Sequence, residues 1–256
     1  MTQQAPSPLP AQACAIDTVA IVGAGRMGTA LAAAAATAGL AVDGPLRRGE
    51  ASPADAGAVL LCVPDAQIAS AAEALPVRPG QLVGHTSAAT TLAALGAHEA
   101  FSLHPLMTVT AAGATFAGAT AAVAGSSERA RAYADGLARR LGMRPVQIAD
   151  ADRAAYHAAA CIASNFLVTL QDVAERLAQS AGLDREPLAE LVRATVANWA
   201  QLGPQRALTG PIARGDEATV ARQRAAVAVR QPGDLELFDA LAAATRRLAA
   251  APAVQA

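Results

Sequence analysis

The chain has 256 residues, 53% hydrophobic and 16% charged, enough apolar material for one large core or two smaller ones. Its formal net charge of −1 gives no electrostatic case for binding nucleic acid or an anionic membrane surface. Three scattered cysteines, Cys14, Cys62 and Cys161, form no C-x-x-C and read as reduced thiols in a cytoplasmic protein rather than a disulfide or metal framework. All twenty basic residues are arginine, so no mechanism that needs a lysine is available.

Residues 1–15, MTQQAPSPLPAQACA, are rich in Pro, Gln and Ala. They lack a basic n-region and a long apolar core, so a disordered tail is expected here rather than a signal peptide or anchor. The later Ala-rich runs are broken by Arg, Gly or Asp and offer no convincing membrane span.

The organising stretch is Thr18 to Gly39. Thr18 to Val22 is a β-branched apolar run of the kind that forms a buried parallel strand. Gly23, Gly25 and Gly28 follow as G-x-G-x-x-G and lead through Arg26 and Met27 into an Ala-rich helical segment. Glycines also mark ordinary turns, but strand, glycines and helix stand here in dinucleotide-binding order. Gly23 permits the tight turn, Gly25 lets the backbone approach a pyrophosphate, and Gly28 lets helix and strand pack closely. The phosphates would then sit on the free N–H groups of the helix N-terminus.

Leu40 to Leu46 is the second expected strand, closing on Arg47 and Arg48. The next, Ala58 to Val63, follows so soon that no second helix and third strand fit between them. Strand two is therefore expected at a sheet edge, where Pro45 is tolerated. Asp65 is a candidate N-cap for a helix near 67–75. Further strands are expected at 81–84, 100–103, 119–123 and 145–148, with a helix at 127–141 before the last. The alternation predicts a doubly wound parallel sheet over residues 16–150. From Asp150 only helical patterns remain, at 152–181, 185–202, 216–229 and 233–250, so residues 151–250 are expected to form a helical domain.

Six segments, VAIVGAGRMGTAL, LLCVPDAQI, VGHTSA, FSLHPLMTV, YHAAACIASNFLVTL and LTGPIARGD, carry a resemblance. In this order they resemble the Rossmann-like proteins with a C-terminal helical domain of unknown function, relatives of pyrroline-5-carboxylate reductase and ketopantoate reductase. The resemblance implies an NADP-dependent reductase, with ketopantoate reduction the first candidate activity. The absent helix and strand after strand two are a departure that removes part of the adenosine-side wall.

Ligands of open α/β sheets bind beyond the carboxyl ends of the strands. That rule selects Val63, Pro64, His85, Thr86, Ser87, His104 and Pro105 as the rim of the nicotinamide pocket. Thr86 and Ser87 are expected to touch nicotinamide or substrate and His104 to line the pocket, although strand-end histidines also serve structural hydrogen bonds. Dinucleotide choice turns on the end of strand two. Asp43 lies twenty residues after Gly23 but mid-strand, whereas Arg47 and Arg48 occupy the strand end. A guanidinium there pairs with a 2′-phosphate, which predicts NADP(H), unless both arginines are merely solvated.

The segment Ala154 to Leu170 is apolar nearly all round, which predicts burial. Related dehydrogenases place a Lys and an Asn on this helix. No Lys exists here, so His157 becomes the candidate proton donor and Asn165 a polar anchor, the alternative being a satisfied core histidine. In LTGPIARGD, Arg214 can bind a substrate carboxylate, or it can pair with Asp216 to cap the next helix. The long apolar helices predict a homodimer packed through 151–250. The competing function is a non-catalytic dinucleotide-binding sensor or scaffold, favoured by the missing lysine and the shortened nucleotide wall.

Overall fold

The computed structural model of the protein describes residues 16–50, 55–110 and 113–252, so the expected tail at 1–15 lies outside the described residues. Backbone contacts divide the chain between Ser164 and Asn165 into two compact units.

The first unit is built on a seven-stranded sheet in the order β2-β1-β3-β4-β5-β6-β7. The strands are β1 (Thr18–Val22), β2 (Ala41–Leu46), β3 (Ala58–Leu61), β4 (Leu82–His85), β5 (Glu99–Leu106), β6 (Thr120–Gly125) and β7 (Arg144–Gln147). Five strands, β2 to β5 in sheet order, run parallel. Helices α1 (Arg26–Thr37), α2 (Ile68–Glu73) and α3 (Glu128–Arg140) cover the sheet. Alternate residues supply its two faces, as the period of a strand requires. Val19, Ile21, Ala58 and Leu60 join the core under α1 and α3, while Ala20, Val59 and Leu61 join that under α2. The result is a Rossmann-like sheet with helices on both sides.

β2 lies at the sheet edge beside β1, with a register shift next to Pro45 that frees the ladder from an N–H the proline does not have. Only residues 47–57 separate β2 from β3, which is why β1 has β3 rather than a further crossover strand as its other neighbour.

Four expectations are corrected. The sheet is not wholly parallel, because β6 runs antiparallel to β5. The connection from Met107 to Ala119 carries no helix among its described residues, and a parallel return requires a crossover element. Asp65 does not cap α2; it opens a 3-10 turn (Asp65–Gln67), and its carboxylate is engaged elsewhere. The long helix from 152 is not continuous. A 3-10 turn (Asp150–Asp152), α4 (Arg153–Cys161) and a π-helical turn (Ile162–Phe166) precede α5 (Leu167–Gln179). Nor is Ala154 to Leu170 buried: Ile162 is 61% exposed and Val168 68%. An all-round apolar helix needs cover on all sides, and within this single chain it does not have it.

The second unit continues with α6 (Arg185–Leu202), α7 (Pro204–Ala207), α8 (Glu217–Arg230) and α9 (Leu235–Ala250). Its internal packing is thin. Val220, Val227 and Ala242 are its buried apolar residues among those described. Arginine–carboxylate pairs tie its helices together, Arg224 to Asp239 across α8 and α9 and Arg185 to Glu175 across α6 and α5. Among the described residues no helix is long and apolar enough to cross a membrane.

Candidate functional site

The carboxyl ends of β2, β1 and β3 open into a cleft of about 870 Å³, lined by Gly23, Gly25, Arg47, Arg48, Val63 and Pro64 among others. Its floor follows from the glycines. Gly23 has φ +113°, a left-handed conformation that disfavours any side chain, and a Cβ there would lie 2.4 Å from the Cys62 carbonyl oxygen. A Cβ at Gly28 would lie 1.8 Å from the Gly23 carbonyl oxygen, so only glycine lets α1 start this close to the strand. Gly25 differs, because a Cβ added there meets nothing within 4 Å. The backbone at Gly25 therefore faces open space. Gly25 is also the N-cap of α1, with no side-chain cap and no acid in the first turn. The first N–H groups of α1, from Arg26 onward, are thus left for an anion. Met27 turns inward against the core, and Arg26 lines a separate groove on the outer side of α1.

At the far side of the cleft the Gly23 N–H donates to the Leu46 carbonyl (2.8 Å), holding the end of β2 beside the glycine turn. Asp43 pairs with Ala20 inside the strand, so Arg47 and Arg48 are the first side chains beyond it. The Arg48 Nη2 donates to Gln67 Oε1 (3.1 Å), and the Arg47 N–H donates to the Glu50 carboxylate (2.7 Å). These are parts that could hold a dinucleotide: uncapped N–H groups for a pyrophosphate, and a guanidinium at the end of β2 for a ribose phosphate.

The ends of β4 and β5 carry a polar cluster in the same unit. Ser87 is buried, and its hydroxyl donates to Asp65 Oδ2 (2.7 Å) while accepting the N–H groups of Ala89 (3.2 Å) and Thr90 (3.0 Å). These bonds engage Ser87 in shaping its own loop. Thr86 hydrogen-bonds the Cys62 thiol, whose pKa burial pushes up to about 12, so Cys62 is no nucleophile. His85 is fully buried and its Nδ1 accepts the Ser87 N–H (3.2 Å). Burial, and then the nearby Arg153 cation, push the His85 pKa down to about 4.

His104 does not end its strand, as the sequence suggested, because β5 continues to Leu106. It still stands two residues beyond Ser102, the partner of the last β4 residue, and so remains on the rim. Its Nδ1 lies 2.7 Å from the Tyr156 hydroxyl, with the two rings edge to face. Burial, and then the neighbouring His157, hold the His104 pKa down at about 4. Arg153, itself 3% exposed, donates from Nε to Asp150 (2.5 Å) and from Nη2 to the Ser102 hydroxyl (2.6 Å).

The cluster thus includes two residues that the sequence did not single out, Arg153 and Tyr156, and one, Asp65, that it had assigned to a helix cap instead. The available signal was spacing. Ser102 and His104 are two apart on a strand, and Arg153 and Tyr156 three apart on a helix, so each pair shares a face. His157 is half-buried beside this cluster, while Asn165 is exposed in the π-helical turn and opens the second unit. Arg214 is exposed in the second unit. Asp216 alone caps α8, accepting the Thr219 N–H, and forms no ion pair with Arg214.

Residues 119–245 match the family model described as a domain of unknown function (DUF2520). No curated protein sequence matches the chain. Among solved structures, a candidate NADP oxidoreductase from Bacteroides fragilis is similar at 19% identity and a TM-score of 0.77, over 90% of this chain and 98% of that one. A Thermotoga maritima protein is similar at 22% identity and a TM-score of 0.77, over 91% of this chain and all of that one (100%). The pyrroline carboxylate reductase of Plasmodium falciparum, solved with NADP bound, is similar at 11% identity and a TM-score of 0.55, over 92% and 99% of the two chains. These likenesses establish the fold, a Rossmann-like sheet followed by a helical region.

Proposed function

We propose that the protein is an NADPH-dependent reductase acting on a small 2-oxo acid of the ketopantoate type or a cyclic imine of the pyrroline-carboxylate type. The observation that carries this reading is the uncapped N-terminus of α1 above the open face of Gly25, in one cleft with Arg47 and Arg48. NADP oxidoreductase and reductase are the descriptions of two of the proteins that share the fold. When bound, NADPH supplies a hydride. The chain's part is to hold the pyrophosphate on the α1 N–H groups, to hold the 2′-phosphate on Arg48 with Arg47 in support, and to offer a proton from the cluster at the β4 and β5 ends. Val63, Pro64 and Thr86 form the nicotinamide side, and Ser87 and Asp65 stiffen it.

His104 and Arg214 are the proposed substrate contacts, Arg214 through a carboxylate. His157 and Asn165 remain the catalytic candidates nearest the unit boundary. A homodimer packed through the exposed helices fits the thin interior of the second unit, and the free thiols of Cys62 and Cys161 fit a cytoplasmic enzyme.

The test is NADPH absorbance followed against a panel of 2-oxo acids and cyclic imines, with binding of NADPH and NADH measured in parallel. Arg214→Ala should raise the Michaelis constant about ten- to a hundredfold at unchanged cofactor affinity, the value of one lost charge-assisted contact. The second reading, a non-catalytic dinucleotide sensor, is favoured by the total absence of lysine. Tight NADPH binding with no turnover on the whole panel would establish it.

A further inference from the structure

Two rungs join α4 to β5. On the strand, Ser102 and His104 are two residues apart and project from the same face, about 7 Å from one another. On the helix, Arg153 and Tyr156 are three apart, about 5–6 Å along the same face. The spacings match closely enough for both side-chain pairs to meet at once, Arg153 with Ser102 at 2.6 Å and Tyr156 with His104 at 2.7 Å. The lower rung is buried and closed, since Asp150 and Ser102 take up the Arg153 guanidinium. The upper rung is the more open one, Tyr156 and His104 being both only partly buried.

We propose that Tyr156 is the proton donor of the reduction and that His104 is its positioning residue; this rests on the reductase reading above. A reduction of C=O or C=N adds hydride at carbon and needs a proton at the heteroatom. The candidates at the rim are His104, His157 and Tyr156. His104 is neutral at pH 7, because burial and the facing His157 and Arg153 outweigh Asp65, so it carries no imidazolium proton to give. The His157 ring makes no hydrogen bond to any described residue, so no such bond aims its N–H. Tyr156 is different on both counts. Its phenol holds a proton through the neutral range, burial raising its pKa against the opposing Arg153 charge, and its oxygen is fixed by His104. In the reacting arrangement the His104 Nδ1–H donates to the phenol oxygen, which leaves the phenol hydrogen directed at the substrate. As the hydride from NADPH bonds to the substrate carbon, the phenol O–H bond breaks and an O–H or N–H bond forms on the substrate. The phenolate is held by the His104 N–H until water returns a proton on product release. The carbonyl or imine is reduced to alcohol or amine and NADPH is oxidised to NADP⁺.

The test combines kinetics with a measurement that needs no turnover. With ketopantoate and pyrroline-5-carboxylate as substrates, Tyr156→Phe should lower kcat by about 10²-fold or more, with NADPH affinity by fluorescence titration unchanged. The loss in Tyr156→Phe should exceed that in His157→Ala at least tenfold; the reverse order overturns the proposal. His104→Ala should lower kcat by a larger factor than it raises KM, and His104→Asn, whose amide N–H can still reach the phenol oxygen, should recover part of the kcat loss. An Asn variant no better than the Ala variant overturns the positioning role. Nitrogen NMR of the protein without ligands should show His104 Nδ1 protonated at pH 7, with its signal displaced in Tyr156→Phe. An unprotonated Nδ1 with no displacement overturns the pairing. A wild type that binds NADPH but reduces neither substrate nor any other panel member defeats the reductase reading itself, and the NMR result then describes only a structural clip.

Discussion

The Gly23 N–H donates to the Leu46 carbonyl at 2.8 Å, which ties the first residue of the glycine turn to the last residue of β2. This one bond brings the pyrophosphate cradle and the Arg47-Arg48 pair to the same cleft. Asp43, at a familiar distance in sequence from Gly23, stands short of the strand end, because three residues of β2 still follow it.

Gly25 and Gly28 should therefore separate binding from folding. Gly25→Ala adds a methyl to open space, so the melting temperature should stay within about 2 °C, a change of at most about 0.5 kcal/mol. NADPH affinity should fall at least tenfold, because the methyl occupies the approach of the pyrophosphate. Gly28→Ala drives a methyl into the Gly23 carbonyl and should destabilise the fold by several kcal/mol. Calorimetry and fluorescence titration decide both; equal melting temperatures for the two variants would contradict the packing described.

On the proposed reading, Arg48 sets the preference between cofactors. Its guanidinium is pre-positioned by Gln67, so pairing with a 2′-phosphate requires little new ordering. Arg48→Ala should weaken NADPH about ten- to a hundredfold, the 1.5–3 kcal/mol of a hydrogen bond to a charged group, while leaving NADH nearly unchanged. Glu50 lies in the same cleft and accepts the Arg47 N–H through Oε2. If wild-type protein binds NADH more tightly than NADPH, the arginine assignment falls.

Much of this was legible in the sequence. Thr18 to Gly39 gave strand, turn and helix because each local preference there agrees with the tertiary arrangement. The edge position of β2 followed from Pro45 and from the short distance to Ala58. The antiparallel β6 was not legible, since strand direction is set by what fills the 107–119 connection and not by the strand's own residues. Asp65 looked like a helix cap because Asp before an apolar helix usually is one; the nearby Ser87 hydroxyl, 22 residues on, engages it instead. Tyr156 and Arg153 were hidden for the same reason, as their partners His104 and Ser102 are about fifty residues away and only the folded sheet brings them together.

Acid should weaken the fold through two histidines. His85 and His104 have folded pKa values near 4, below the ordinary 6.5, because burial disfavours their charged forms. Between about pH 6.5 and 4 the unfolded chain therefore binds more protons than the folded one. The stabilisation is complete above pH 6.5 and is lost as pH falls through that window. Arg153 and His157 steepen the effect, while Asp65 and, for His85, Asp150 oppose it. The loss by pH 4.5 is of the order of 1–3 kcal/mol per histidine. Urea titrations at pH 7.5 and 5 should show it, and His104→Asn should flatten the pH dependence. A variant as acid-sensitive as the wild type would remove His104 from this account.

The exposed apolar side chains of the helical region demand cover. Phe166, Val168, Leu191 and Trp199 are each more than half exposed, on helices whose own unit buries only three apolar residues among those described. Leaving such side chains in water forfeits about 1.5–3 kcal/mol apiece. A second copy of the same chain presents the same helices, and a two-fold pairing covers both sets at once. The expected species at micromolar concentration is thus a dimer, with twice the chain mass by light scattering. Val168→Glu places a charge in the covered surface and should shift the protein towards monomer, since an unpaired buried charge costs several kcal/mol. Because Gly23, Gly25 and Arg48 belong to the other unit, NADPH binding by this variant should persist. A wild type that scatters as a monomer, or a Val168→Glu protein that stays dimeric, would assign these side chains to some other role.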